Sequence, residues 1–244
     1  NMKTIAVKDG DHYIINGTKN WVTNGINSDY VVIMAITTQG IGHKGISTFI
    51  VEKGWEGFAE GKPENKLGIR ASDTCELYLD DVKIPEANLI GNEGDGFKIA
   101  LSTLDGGRIG IAAQALGIAQ ASLDAAVTYS KERVQFGKPI SSNQGIQFKL
   151  ADMGMEIEAA RLLVRKAAFM KDQHKNFGIL ASMAKVYASE VAMRASTDCV
   201  QIHGGYGYMR EYGVERLMRD AKITQIYEGT SEIQRVVVAR EILK

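Results

Sequence analysis

The chain has 244 residues, 45% hydrophobic and 24% charged, with 29 basic and 29 acidic side chains. That composition excludes a disordered chain, a collagen-like repeat and a coiled-coil rod. A formal net charge of zero gives no electrostatic case for nucleic acid or an anionic membrane, and the size allows one large domain or two smaller ones. The opening residues, Asn1-Met2-Lys3-Thr4, run straight into strand-like alternation, with neither the basic nor the apolar region of a signal peptide. Short β-rich runs follow at 13–15, 21–23, 30–37, 47–51 and 76–82. Turn signals separate them at Asp9-Gly10-Asp11, Asn24-Gly25, Gln39-Gly40 and Lys53-Gly54. This spacing predicts an antiparallel sandwich or barrel.

A glycine-rich stretch at 91–96 marks the change of texture. It divides the chain into a β-rich domain over 1–92 and a helical domain over 93–244. Ile109, Ala112, Leu116, Ala119, Leu123 and Ala126 keep three-four spacing. So do Ile146, Leu150, Met153, Ile157, Ala160, Val164 and Ala167. That second helix carries another stripe, Met155, Ala159, Leu162 and Phe169, which predicts burial on two sides and self-assembly. A third helix is expected over about 178–203, with Leu180, Ala184, Tyr187, Val191 and Ala195 on one face. Ser231-Glu232-Ile233-Gln234 fits a capping box opening a last helix that runs to Leu243. The expected class is α+β: an antiparallel β-sandwich or barrel followed by a C-terminal up-down four-helix bundle. The longest uncharged stretch, 109–123, is too short to span a bilayer. Cys75 and Cys199 make neither a disulfide framework nor a metal cluster, so no metal site and a reducing compartment are expected.

Five constellations could carry chemistry. Glu228 sits between two helical segments, beside Tyr227 and Gly229 and just ahead of a helix start. In a dry pocket such a carboxylate becomes a useful base, and free amides at Thr230 and Ser231 would make an anion or carbonyl site. The plainer alternative is a solvated loop glutamate. His203-Gly204-Gly205-Tyr206-Gly207 could lay bare backbone against a flat or phosphorylated ligand, or could simply end a helix. It is no dinucleotide loop, because it follows a helix and Arg210 stands where the third glycine belongs. In the connector 131–139, Arg133 and Phe136 suit a phosphate and a stacked base, or Phe136 tucks into the bundle. Asp105-Gly106-Gly107-Arg108 could orient a polar ligand, or form a local ion pair. Trp21-Val22-Thr23 places an aromatic and a hydroxyl at a strand end, where tryptophan is commonly core.

Taken together the motifs resemble one family. Trp21-Val22-Thr23-Asn24-Gly25, Leu104-Asp105-x-x-Arg108, Arg133-x-x-Phe136-Gly137, Gln201-x-x-Gly204-Gly205-x-Gly207 and Tyr227-Glu228-Gly229-Thr230-Ser231 follow the order and spacing of acyl-CoA dehydrogenases, nearest their short-chain, butyryl-type branch. The resemblance implies FAD held between a β-domain and a helical bundle, a homotetramer built as a dimer of dimers, and an acyl-CoA substrate. Glu228 would be the base; Asp105, Arg108 and Gly229 would meet the substrate. Trp21, Thr23, Arg133, Phe136, Gln144, Gln201, Gly204, Gly205, Thr230 and Glu232 would hold FAD, several of them across a dimer interface. Thr224 could narrow the acyl pocket. Some branches place the base just before the arginine of the Asp-x-x-Arg element; here that position is Gly107. The family carries an N-terminal helical domain and a flavin-binding segment ahead of the first strands, so this sequence is expected to be two of three domains, weak in FAD binding and poor in turnover by itself. An electron-transferring flavoprotein is the expected acceptor, in a bacterial cytoplasm or a mitochondrial matrix. A flavin oxidase on the same fold and a non-catalytic interaction module are the alternatives.

Overall fold

The computed structural model describes residues 2–244. They divide into two compact units: the first takes residues up to Lys66 and Arg70–Thr103, the second Leu67–Ile69 and Leu104–Lys244.

The first unit holds β1 (Ile5–Asp9), β2 (His12–Thr23), β3 (Tyr30–Ile36), β4 (Ile46–Glu52), β5 (Phe58–Glu60), β6 (Thr74–Pro85) and β7 (Leu89–Ile90). They form one seven-stranded sheet in the order β5-β6-β2-β1-β3-β4-β7. β1 and β2 make a hairpin from Ile5↔Asn16 to Asp9↔His12. Its two-residue loop starts with Gly10 at φ 60, the conformation such hairpins need. Pairing is antiparallel except between β1 and β3, which run parallel. The expectation of an antiparallel sandwich or barrel is corrected in one respect: the strands form a single sheet that contains one parallel pair. Side chains alternate across it, and Tyr13, Ile15, Ile33, Phe49, Val51, Leu79, Val82 and Ile84 from four strands meet in one core with Ala6 of β1 and Ala35 of β3. Burying a side chain the size of Phe49 contributes roughly 1.5–3 kcal/mol.

The second unit contains most of α1 (Gly96–Glu132), a β8–β9 hairpin (Val134–Gln135, Lys138–Pro139), α2 (Gln144–Asp172), α3 (Gly178–His203), α4 (Val214–Thr224) and α5 (Ser231–Ile242). The four expected helices are present as α1, α2, α3 and α5, and α4 is a further, short one. α3 is the hub, packing on α2, α4 and α5. Small residues allow that approach: Ala181, Ala184, Ala188, Ala192 and Ala195 are all buried. Ala112, Ala115, Ala119 and Ala126 of α1 join the same core, with Met153, Ile157, Ala160, Val164 and Ala167 of α2. By length and composition α1 could cross a bilayer, with a window of mean hydropathy 1.2. Its alanine stripe is instead spent on α2 and α3. The last helix opens differently from the expected capping box. Thr230, not Ser231, is the N-cap, accepting from the Ile233 amide at 3.4 Å. Gln234 turns its amide back toward residues 228 and 229 instead.

Candidate active site

α4 ends at Thr224, and the chain turns back into α5 within six residues, 225–230. The turn is closed by the Ser231 amide donating to the Gln225 carbonyl at 2.9 Å. That amide is thus not free for an anion, contrary to expectation. Glu228 and Gly229 carry φ of 55 and 87. For a glutamate the left-handed region costs about 1–2 kcal/mol, so surrounding groups must hold it. They are identifiable. Gln234, fully buried on α5, donates Nε2 to the carbonyls of Glu228 (3.1 Å) and Gly229 (3.0 Å). Lys185 of α3 donates Nζ to the Gly229 carbonyl at 2.8 Å. Tyr227 donates its hydroxyl to Gln114 Oε1 on α1. Gly229 is required twice, by its φ and because a Cβ there would stand 2.6 Å from Gln234 Nε2. The Glu228 carboxylate is half-buried and leans on α1, where a Cβ built on Gly107 would lie 2.6 Å from Oε2.

The next residue of α1 is Arg108, 7% exposed. It donates Nη1 to Asp105 Oδ1 at 2.7 Å, and Ser182 Oγ lies 3.5 Å away. The pair sits inside a 37-residue helix, not at its start. Its ion pair is half desolvated, and Arg108 Nε is buried without a partner. Ser231 Oγ and Gln234 Oε1 share that condition. Buried polar groups are ordinarily satisfied, so an orphaned guanidinium nitrogen marks a place for a polar guest. Thr224 is fully buried and donates to the Ala221 carbonyl at 2.7 Å, so it faces the core and narrows nothing.

A concavity of about 410 Å³ is lined by Tyr129, Arg133, His203, Gly204, Gly205 and Tyr206 among others. His203 stacks on Tyr129 at 4.1 Å and holds Nδ1 against the Cys199 carbonyl at 2.8 Å, which makes it structural. Arg133 lies 5.3 Å from the Tyr206 ring centre. Gly204, at φ 61, ends α3. A Cβ on Gly204 or Gly205 would meet nothing within 4 Å. No neighbour in the chain demands a glycine at 205; the bare backbone faces open space. Phe136, Gln144 and Gln201 do not line this groove. Phe136 stands at the tip of the β8–β9 hairpin, 94% exposed, and does not tuck into the helices. Gln144 opens α2 and Gln201 lies in the last turn of α3, both exposed. Thr230 and Glu232 flank the start of α5, and the backbone amide and the Thr230 hydroxyl hold the Glu232 carboxyl below its ordinary value. In the first unit, Trp21 sits at φ 59 in an irregular stretch of β2. It is 72% exposed, which excludes the core reading, and Thr23 beside it is exposed too.

The chain matches the description "Acyl-CoA dehydrogenase, middle domain" over residues 1–82 and "Acyl-CoA dehydrogenase, C-terminal domain" over 94–243. It belongs to the acyl-CoA dehydrogenase family. It is 56% identical to an acyl-CoA dehydrogenase of Bacillus subtilis over 99% of this chain and 64% of the relative. It is 57% identical to the short-chain-specific acyl-CoA dehydrogenase of Megasphaera elsdenii over 99% of this chain and 63% of that protein. The solved butyryl-CoA dehydrogenase of Megasphaera elsdenii superposes with a TM-score of 0.98 at 57% identity, covering 99% of this chain and 63% of that one. The chain thus spans a little under two thirds of these relatives.

Within this family member, the second unit holds both the Asp105–Arg108 pair of α1 and the Glu228–Gly229 turn, which leans on α1 beside that pair at Gly107. It also gathers Gln114 and Lys185, which the motifs do not include, and Gln234, which the sequence offers only as part of a capping box. Lys185 had a signal, a lysine on the alanine stripe of a helix that is otherwise inward-facing. Gln114 had none, and the capping signal at Gln234 did not point to the contacts it makes, because each acts through a fold-dependent contact.

Proposed function

We propose that this chain is the β-rich and helical part of an FAD-dependent short-chain acyl-CoA dehydrogenase, converting an acyl-CoA thioester to the trans-2-enoyl-CoA. The observation that carries this is the Glu228 carboxylate, set against the side-chain-free surface at Gly107 by a left-handed turn gripped from three helices. A solvated loop glutamate has no need of such a frame.

The residues fit the cofactor. The uncrowded backbone at Gly204 and Gly205, beside Arg133, leaves a cradle that a Cβ would fill and suits the phosphates of the ADP half. Phe136, Gln144 and Gln201, exposed in one chain, suit contacts supplied to a second copy. Exposed Trp21 and Thr23 are assigned to the flavin, and Thr230 and Glu232 to its approach from α5. When bound, FAD supplies the acceptor for the hydride that leaves Cβ of the acyl chain.

The chain's own residues do the rest. The Glu228 carboxylate takes the α-proton, so the Cα–H electron pair becomes the new Cα–Cβ π-bond as hydride departs. An α-proton is weakly acidic, so the thioester carbonyl must be polarised; the Glu228 amide N–H is assigned as one donor. Arg108, with its unpartnered Nε, and Asp105 orient the polar tail of CoA. An electron-transferring flavoprotein is the proposed acceptor of the electrons. Glu228→Gln in the flavin-loaded enzyme should lower kcat at least ~100-fold, the low end for losing a positioned general base. Near-normal turnover on butyryl-CoA would remove Glu228 from this role.

A further inference from the structure

Lys185 is a buried cation that the proposed chemistry leaves unused. It is fully buried on the inward stripe of α3. Burial, with the Arg108 guanidinium, pushes its pKa down to about 8, against the carboxylates of Glu228, Glu232 and Glu190. A methionine would fill similar volume without that desolvation. What the lysine adds is a donor. Its Nζ lies 2.8 Å from the carbonyl oxygen of Gly229, the residue after Glu228. Gly229 and Glu228 are the two left-handed residues of the turn. Gln234 reaches the same carbonyl from the side of α5.

We propose that Lys185 is a positioning residue, whose hydrogen bond to the Gly229 carbonyl locks the Glu228–Gly229 pair in its left-handed geometry and so aims the Glu228 carboxylate at the reacting carbon. This rests on the reading of Glu228 as the base. Lys185 touches neither substrate nor proton; it acts through one peptide group. Without it the turn loses its grip from α3, and Gln234, the Tyr227–Gln114 bond and the Ser231–Gln225 closure are left to oppose the relaxation of Glu228 to negative φ, which would swing the carboxylate off Gly107. Misplacement on the order of 1 Å is enough to cost ~100-fold in rate.

The test is a double-substitution cycle in the flavin-loaded, full-length enzyme, with butyryl-CoA as substrate. Lys185→Met should lower kcat about 10- to 100-fold and leave KM within about twofold. In a Glu228→Gln background the same substitution should change kcat less than about twofold, because no base remains to be aimed. Lys185→Gln, uncharged and one bond shorter, passes through the same cycle, so the answer does not depend on the methionine variant folding. A merely structural lysine would lose the same factor in both backgrounds, and that result overturns the proposal. So does wild-type kcat in either Lys185 variant. Slow Glu228→Gln with unaffected Lys185 variants removes Lys185 alone; normal Glu228→Gln removes the base and the positioning role together.

Discussion

Gly107 occupies the interior of a helix where alanine would be favoured by about 1 kcal/mol. Its missing side chain is where the Glu228 carboxylate lies, so the glycine serves the carboxylate at the helix's expense. Gly107→Ala should therefore leave the thermal unfolding midpoint equal or raised, while kcat falls about 10- to 100-fold as the new methyl displaces the carboxylate. A variant with unchanged kcat would mean that the carboxylate acts elsewhere. Glu228 was legible in the sequence because a glutamate, a glycine and a capping hydroxyl stand consecutively between two periodic segments. Its restraints were not. Lys185, Gln114 and Gln234 lie 43, 114 and 6 residues away in sequence by their numbers, and only the folded helices bring them together. The capping box was misread for a related reason: Gln234 has two carbonyls within reach that the cap competes with.

The β8–β9 hairpin turns on Phe136 and Gly137, with φ of 52 and 76. Two consecutive left-handed residues favour Asn-Gly, and a bulky aromatic at the first position is costly there. The Phe136 ring, 94% exposed, gains nothing from the chain's own core. Phe136→Asn should keep or raise the unfolding midpoint, yet weaken FAD binding at least fivefold, the low end of the ~1–3 kcal/mol of a base stacked on an aromatic ring. Unchanged affinity by titration of the apoenzyme would free Phe136 of its assigned role. At this scale the long helices were legible, since their three-four stripes are the buried ones: Met153, Ile157, Ala160, Val164 and Ala167 all lie inside. The strands were legible in part. The runs at 13–15 and 21–23 are one strand, β2, with a bulge at Gly17, at φ 145, where a Cβ would stand 2.8 Å from Thr4. Glycine there admits a close backbone approach without ending the strand. β5 and β7, three and two residues long, are too short to show alternation and exist only through their partners β6 and β4.

For the molecule as a whole, the second stripe of α2 is the unsettled surface. Met155, Leu162 and Phe169 are each at least 60% exposed. Nearby in the same unit an apolar groove of about 400 Å³ is lined by Leu163, Met183, Val186, Tyr187, Val238 and Ile242. Exposed apolar side chains of this size, repeated along one helix, favour an interface, and a neutral net charge offers no long-range repulsion against self-association. This supports the homo-oligomer implied by the family, and it links assembly to the cofactor. If Arg133, Phe136, Gln144 and Gln201 reach FAD across a subunit contact, a chain that cannot assemble loses part of its flavin site. Leu162→Lys should then do two things together in the full-length enzyme. Sedimentation should show a smaller species, since a buried charge without a partner disrupts a packed interface. Dilution should release flavin at concentrations where the unaltered protein stays yellow, because ligand and partner both stabilise the assembled state by mass action. A dissociated chain that keeps its flavin would place the whole ADP grip within one subunit. The exposed Phe136 ring would then need another partner.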